Sequence, residues 1–361
     1  MRILQVYKDV YPFRHGGIER YIHDLSRFLC NRGHQVSVIT AGKGKRRKAK
    51  TEAGFDVIQV PSFGRILSNP VSFSYGREMR RFRPDVIHFH LPLPTAEVAR
   101  LLDRSNTPYV ATYHSDIVRQ AFLLPLYGPL LRKFLRGAFL VLATSRRYLE
   151  TSPFLSGLEN ARVVPIGVDL STFRPGREKT SNYFLFAGRF RSYKGIPVLI
   201  EAWKSMLQPP PLILAGGGPL EDWIAGKAGG LPITVIRDPD DEKLLSLYRG
   251  AIALVLPSVK RSEAYGMVQL EAMACGTPVI STDLSSGVPW VNRHMESGLI
   301  VTPGDSKLLA DAVTLMGSDT TLRAKLSQGA AERAVAAFDS EKLFMEVENC
   351  LIEAAYRSPR P

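Results

Sequence analysis

Cysteine is scarce in this chain. Its three cysteines, Cys30, Cys275 and Cys350, are too few and too scattered for a disulfide framework, and no C-x-x-C pair suggests zinc. A reducing cytoplasm is the expectation. Long apolar runs are missing as well: no window reaches the ~18–20 uninterrupted apolar residues of a membrane span. The opening stretch, MRILQVYKDVYP, lacks the longer apolar core and small-residue cleavage site of a signal peptide and reads as a first strand. Acidic residues are short in one half only. Residues 1–170 hold 26 Lys and Arg against 13 Asp and Glu, whereas residues 171–361 hold 21 of each. The whole of the +13 net charge therefore sits in the first half. A one-sided basic domain fits an anionic partner surface, whether phospholipid, lipid-linked phosphate or nucleic acid; the plainer alternative is a merely soluble basic surface.

What is present is a globular composition, 45% hydrophobic and 22% charged over 361 residues, enough for two domains with real cores. Short β-rich runs alternate with helical stretches. RILQVY (2–7) reads as a strand, and GIERYIHDLSRFLCNRG (17–33) as a helix closed by Gly33. HQVSVIT (34–40), GFDVIQVP (54–61), PDVIHFH (84–90), PYVATYH (108–114), FLVLATS (139–145) and ARVVPIG (161–167) continue the strand series. A polar stretch, GVDLSTFRPGREKTSN (167–182), reads as a linker. A second series follows: YFLFAGR (183–189), PLILAGGG (211–218), ITVIRD (233–238), AIALVLPS (251–258), TPVISTD (277–283) and SGLIV (297–301), with helix by period over 305–358. Strands separated by helices imply parallel sheets with crossover helices. The expected fold is α/β, two doubly wound domains in tandem, with ligands beyond the carboxyl ends of the strands. The basic run GKGKRRKAK (42–50) is expected to be a solvated loop rather than a nucleic-acid patch. In AFLLPLYGPLLRKFLRG (121–137), Pro125, Gly128 and Pro129 argue against one long helix, so a membrane-surface segment and a buried connection both stay open.

The residues with chemistry cluster after strands. SEAYGMVQLEAMACGTPVI (262–280) holds Glu263 and Glu271 eight positions apart. On one helix that spacing rises ~12 Å, too far for a pair sharing one bond, whose carboxyls stand ~5–9.5 Å apart in glycosidases. The two acids are better placed to grip opposite ends of an elongated ligand. A helix starting near Gly266 would offer its first amides to a phosphate between them. FLFAGRFRSYKG (184–195) supplies Arg189 and Lys194, cations suited to a diphosphate. LAGGGPLED (214–222) is a glycine turn, HGGIERY (15–21) offers amides at another helix start, and TYHSD (112–116) places His114 and Asp116 after a strand. His88 and His90 alternate onto one strand face; cleft lining or packing is favoured over a metal site, which needs more ligands. Asp238-Pro239-Asp240 is formally a D-x-D, but a turn with an N-capping Asp is favoured over metal binding.

This ordered set resembles the family 4 glycosyltransferases, retaining enzymes of the two-domain GT-B fold. The matching residues are Gly16-Gly17 with Glu19-Arg20, His114, Gly188-Arg189, Lys194-Gly195, Gly216-Gly217-Gly218-Pro219, and the E-x7-E signature Glu263/Glu271 with Gly276-Thr277-Pro278 behind it. Each motif alone is weak, and the ordered set spans essentially the whole chain.

The resemblance implies two Rossmann-like domains facing across a cleft: an acceptor-binding domain over 1–168, a nucleotide-sugar-binding domain over 169–339, and a C-terminal helix over 340–361 crossing back to the first. It implies catalytic roles for His114, Arg189, Lys194 and Glu263. Arg189 and Lys194 would neutralise the departing diphosphate, Glu263 would hold hydroxyls of the transferred sugar, and Glu271 would take the ribose. Gly16, Gly17, Gly217, Arg237, Pro239 and the 265–268 segment (Tyr265, Gly266, Met267, Val268) would complete the donor site. Gly17, His90, His114 and Asp116 would meet the acceptor. No cofactor, metal or side-chain nucleophile is required. Arg237 stands where the family often has Gly, beside the base pocket, and leaves base choice open; likeness around SSGVPWVN (285–292) leans to GDP-mannose. The expected function is hexosyl transfer to a saccharide or polyprenyl-diphosphate-linked acceptor in surface polysaccharide biosynthesis. The expected place is the cytoplasm, peripheral at the inner face of the plasma membrane on anionic lipid, with no nucleic acid partner. The rivals are a nucleotide-sugar epimerase of the same fold and a non-catalytic basic membrane or nucleic-acid adaptor.

Overall fold

In the computed structural model the described residues are 1–14, 16–66, 69–116, 124–176 and 182–357. His15 of the HGGIERY turn, residues 121–123 of the apolar segment and residues 177–181 of the linker lie outside them. The chain divides into two compact units, Met1–Pro165 with Glu341–Pro361, and Ile166–Ser340.

The first unit carries β1 (Arg2–Val6), α1 (Gly17–Asn31), β2 (Gln35–Gly42), β3 (Arg47–Lys50), β4 (Asp56–Pro61), β5 (Arg65–Ile66), β6 (Asn69–Pro70), α2 (Tyr75–Phe82), β7 (Val86–Leu91), α3 (Pro94–Leu102), β8 (Tyr109–Tyr113), α4 (Leu124–Gly137), β9 (Leu140–Ala143), α5 (Arg146–Thr151) and β10 (Ala161–Val163). Its sheet runs β10-β9-β8-β7-β1-β2-β4-β3. Every pairing is parallel except β3 on β4. Central strands such as β7 (VIHFHL) and β8 (YVATY) are buried along their whole length, as expected where helices cover both faces. In α1 the buried residues Tyr21, Ile22, Leu25, Ser26 and Leu29 recur at helical spacing and make one inward stripe.

Two local expectations fail here. The basic run after β2 is not all loop: Arg47–Lys50 pairs antiparallel with β4, and its side chains stay exposed because it forms the sheet edge. α4 runs through Pro129. Pro129 lies early in the described helix, and the stripe Leu131, Phe134 and Leu135 is fully buried, so packing outweighs the lost backbone bond.

The second unit carries β11 (Phe184–Ala187), a 3-10 turn (Ser192–Lys194), α6 (Ile196–Ser205), β12 (Leu212–Ala215), α7 (Glu221–Lys227), β13 (Ile233–Ile236), α8 (Asp241–Gly250), β14 (Leu254–Leu256), α9 (Met267–Ala274), β15 (Val279–Thr282), α10 (Val288–Val291), β16 (Gly298–Val301), α11 (Ser306–Ser318) and α12 (Thr320–Ala337). The sheet order is β13-β12-β11-β14-β15-β16, all parallel. Phe184, Phe186, Trp203, Leu199, Val255 and Val313 anchor its core. Strand order reverses between β11 and β14, the kind of switch point where doubly wound sheets bind ligands.

α13 (Ser340–Arg357) returns the chain to the first unit. Phe344 packs on Tyr21 and Phe28 of α1 with ring centroids 5.8 and 5.6 Å away. The buried Glu348 carboxylate accepts from Arg32 at 3.1 Å and pairs with His34 at 2.8 Å. The outgoing and returning stretches of chain are tied together: the Val168 amide donates to Phe338 at 2.8 Å, and the Ser340 amide to Val168 at 3.1 Å. A Cβ on Gly167 would stand 2.5 Å from the Ser340 Cα, so glycine permits that approach.

Candidate active site

In the second unit the site grows from two adjacent strand ends. β11 and β12 each run into a glycine turn. Gly188 donates to Ala215, and a Cβ on Gly216, at φ +137°, would meet the Gly188 carbonyl at 2.2 Å. The two turns thus pack backbone to backbone. Arg189, in the first turn, is exposed and makes no ion pair with any described residue. Lys194 ends the 3-10 turn, and Gly195 follows at φ +75°.

Lys194 Nζ lies 2.7 Å from Glu263 Oε2, and Ser258 Oγ donates to the same oxygen at 3.2 Å. Lys194 and Glu263 are each 8% exposed. Burial is the largest single influence and pulls the ammonium pKa down, but the Glu263 carboxylate, by charge and hydrogen bond, together with Tyr193 more than offsets it and holds Lys194 above the ordinary lysine range. The pair bridges the segments that follow β11 and β14, so it spans the switch point.

Glu263 is not on the helix with Glu271. Gly266 at φ +74° stops any helix there, and α9 begins at Met267 with no side-chain cap. The Gln269 amide turns back to the Gly266 carbonyl at 2.9 Å, and the Met267 and Val268 amides ahead of it are the ones placed to meet an anion. Glu271, on α9, accepts from the buried Tyr248 hydroxyl of α8 at 2.6 Å. Burial, then the neighbouring carboxylate, pushes that phenol well up. The Gly218 amide donates to Glu221 at 2.7 Å, and Glu221 pairs with exposed Arg237 at 3.1 Å. Asp240 caps α8, accepting from the Lys243 amide at 2.7 Å.

In the first unit, α1 starts at Gly17 after extended Gly16, again with no side-chain cap. Glu19 in its first turn is buried, which pushes its carboxyl up. His88 within β7, His90 near its end and His114 just after β8 are all buried. His90 lies 2.7 Å from Gln5 of β1 and 3.0 Å from His114, while His88 meets Thr112 at 2.7 Å. Burial pulls His88 and His114 down to about 3, and His90 well below its ordinary value. Asp116 accepts from Tyr113 at 2.9 Å and Ser152 at 2.6 Å.

Comparison with known proteins decides what this arrangement belongs to. The pattern described as Glycosyltransferase Family 4 matches residues 15–172, and that of Glycosyl transferases group 1 matches residues 169–333. O-antigen chain mannosyltransferase C of Escherichia coli is 34% identical over 331 residues, 87% of this chain and 88% of that protein. The chain belongs to glycosyltransferase family 4. D-rhamnosyltransferase WbpZ of Pseudomonas aeruginosa is 31% identical over 328 residues, 87% of this chain and 86% of that one. Among solved structures, sucrose-phosphate synthase from Thermosynechococcus elongatus superposes at a TM-score of 0.79 with 22% identity, covering 96% of this chain and 97% of that one. The Anabaena protein HepE, solved with UDP and glucose, gives 0.77 at 19% identity, covering 98% and 100%. At those identities the likeness concerns the GT-B fold.

Within this glycosyltransferase the donor-side residues expected from sequence lie at the strand ends of the second unit. Arg189, Lys194 and Gly217 follow β11 and β12; Glu263, Tyr265, Gly266, Met267, Val268 and Glu271 follow β14. Arg237 and half-buried Pro239 follow β13. In the first unit Gly16 and Gly17 lie at the start of α1, and His90, His114 and Asp116 at the ends of β7 and β8. Sequence reasoning missed Ser258, Tyr248, Gln5 and Ser26, which hold the named residues through hydrogen bonds. Tyr248, Gln5 and Ser26 act on partners 21 to 85 residues away, and no local pattern marks them; Ser258 lies five residues before Glu263.

Proposed function

We propose that this glycosyltransferase moves mannose from GDP-mannose, with retention and without a metal, to a saccharide or polyprenyl-diphosphate-linked saccharide in surface polysaccharide assembly. The observation that carries this reading is the set at the switch point of the second unit: exposed Arg189, the buried Lys194–Glu263 pair and the uncapped start of α9. Arg189, Lys194 and the amides of α9 offset charge growing on the departing diphosphate, and each lost donor costs ~2.7–4 kcal/mol of barrier. Glu263 holds sugar hydroxyls and Glu271 the ribose. The leaving phosphate takes the acceptor's proton on the same face, so no side-chain nucleophile takes part. The Escherichia coli relative, named for O-antigen chain mannosyl transfer, supports a surface polysaccharide product.

The test is thermal unfolding against GDP, UDP, ADP and their sugars, with Glu271→Ala as control. A ligand at 100 times its Kd adds about 2.7 kcal/mol. A shift from GDP that the variant loses supports the reading; a shift from UDP alone moves the donor class; none from any nucleotide overturns the donor site. The anomeric configuration of the product by proton NMR tests retention, and activity surviving EDTA tests metal independence. Turnover without any acceptor would favour the epimerase.

Peripheral membrane contact is part of the same proposal. None of the described helices is long and apolar enough to cross a membrane. Phe63 and Phe73 are each 81% exposed with ring centroids 5.6 Å apart. The Ser62 amide bonds the Gly42 carbonyl at 2.9 Å, and Gly42 leads into the Lys43–Lys50 basic run. Exposed aromatics beside cations suit an anionic bilayer. Phosphatidylglycerol-containing vesicles should retain the protein at low salt, and less of the Phe63→Ser, Phe73→Ser variant; no retention overturns membrane contact.

A further inference from the structure

The hydrogen bonds below β1, β7 and α1 fix where every proton lies, in one direction. Ser26 Oγ is 2.7 Å from the Ile22 carbonyl, which can only accept, so the hydroxyl proton goes there. Towards Gln5, 2.8 Å away, Ser26 is then an acceptor, and the Gln5 atom facing it must be the amide nitrogen. That orientation turns Gln5 Oε1 to His90 Nε2 at 2.7 Å, so His90 Nε2 carries a proton. A neutral imidazole has one N–H, so His90 Nδ1 is a lone pair. It faces His114 Nε2 at 3.0 Å, which must therefore donate. His114 Nδ1 is left without a proton, buried and without a hydrogen-bond partner among the described residues.

We propose that Ser26, Gln5 and His90 are positioning residues that lock His114 as a hydrogen-bond acceptor, so that the group it receives is a saccharide hydroxyl and not a phosphate or carboxylate oxygen. The inference rests on the glycosyl-transfer reading for its ligand class, not for the proton order. Its N–H is committed to His90, so His114 has none to offer a leaving group. A buried lone pair without a partner is costly, and a hydroxyl donor relieves that cost. Two observations keep the rings neutral and in place. Burial disfavours the imidazolium at His88, His90 and His114 alike. The tyrosine rings of Tyr7 and Tyr21 pack against both His90 and His114 at 5.7–6.4 Å between centroids. The titratable groups that face His114 are His90 at 3.0 Å, the Tyr7 and Tyr21 rings, Lys8 from the end of β1 and His88 from β7; the charges of Lys8 and His88 disfavour its protonation.

Long-range proton–nitrogen NMR of the full-length protein, labelled with 15N-histidine at neutral pH, reads the tautomers directly. His90 and His114 should both be Nε2–H. Gln5→Leu removes the acceptor and should mix the His114 tautomer; Gln5→Glu supplies an acceptor again and should restore it. Should Gln5→Leu fail to fold, Ser26→Ala, which frees the amide to turn over, asks the same question. Affinity for GDP-mannose should fall about ten-fold for Gln5→Leu, with GDP affinity unchanged and most of the loss recovered in Gln5→Glu. An Nδ1–H form of His114 in the wild type, or a His114 tautomer indifferent to Gln5→Leu, overturns the relay. A wild type with the expected tautomers that binds no GDP-, UDP- or ADP-sugar overturns the glycosyl-transfer reading instead and leaves the proton order standing.

Discussion

Lys194 and Glu263, 69 residues apart in sequence, form a buried ion pair at 2.7 Å across the point where the second sheet reverses its strand order. Parallel pairing of β11 with β14 puts the turns that carry them side by side. The pair is therefore a consequence of topology, and it sets one carboxylate and one ammonium beside the exposed Arg189.

Removing one partner should be worse than softening the contact. Lys194→Ala strands the Glu263 carboxylate with Ser258 as its remaining hydrogen-bond donor, and should cost ~3–5 kcal/mol of stability as well as GDP-dependent stabilisation. Glu263→Gln keeps a polar partner for both Lys194 and Ser258 and should cost less. Because the folded ammonium is held above the ordinary lysine range, its contribution is complete at neutral pH and is lost in base as pH rises through that raised value. Urea unfolding of both variants, with and without GDP, checks the order.

Tyr248→Phe removes one atom, the hydroxyl that donates to Glu271 at 2.6 Å. The ring still fills its buried site, so the fold should survive. A hydrogen bond to a charged group is worth ~1.5–3 kcal/mol, so nucleotide affinity by calorimetry should fall about ten-fold or more. An unchanged affinity would show that Glu271 needs no help from Tyr248.

Gly195→Ala and Gly44→Ala separate two costs of a left-handed glycine. At Gly195, φ +75°, a Cβ would stand 1.8 Å from the Pro257 carbonyl oxygen; at Gly44, φ +88°, nothing lies within 4 Å. Gly44→Ala should lose only the conformational ~1–2 kcal/mol. Gly195→Ala adds a backbone clash beneath Lys194 and should lose clearly more. Denaturant midpoints for the two variants give the comparison.

Acid should unfold this protein through its buried imidazoles. His88 and His114 are held at about 3 against an ordinary 6.5. The unfolded chain takes up their protons as pH falls through 6.5, and the folded chain does so only near 3. Their contribution is therefore complete above pH 6.5 and declines below it, by about 1.4 kcal/mol per pH unit for each histidine. Stability measured from pH 7.5 down to pH 5 should fall on that slope, and His88→Gln should flatten it.

Much of this was legible in the chain. Strand, glycine turn and helix follow one another locally in FLFAGRFRSYKG and LAGGGPLED, so local pattern alone places the turns and the cations in them. The Asp240 cap was readable for the same reason. β3 was not, because a basic run becomes an edge strand only when β4 offers it a partner. Nor was α4, whose prolines speak for a break while burial of Leu131, Phe134 and Leu135 holds the helix. The helix start near Gly266 was readable, and it leaves Glu263 before α9 and Glu271 on it.

The sequence by itself determined the order of strands and helices, the two halves with their unequal charge, and which side chains stand at strand ends. These follow from local backbone chemistry and from counting. The tertiary structure alone decided which of those side chains meet. Lys194 finds Glu263, Tyr248 finds Glu271, and Gln5 finds His90 because parallel sheets bring together segments separated by 69, 23 and 85 residues. Strand order, which no local pattern encodes, sets those distances.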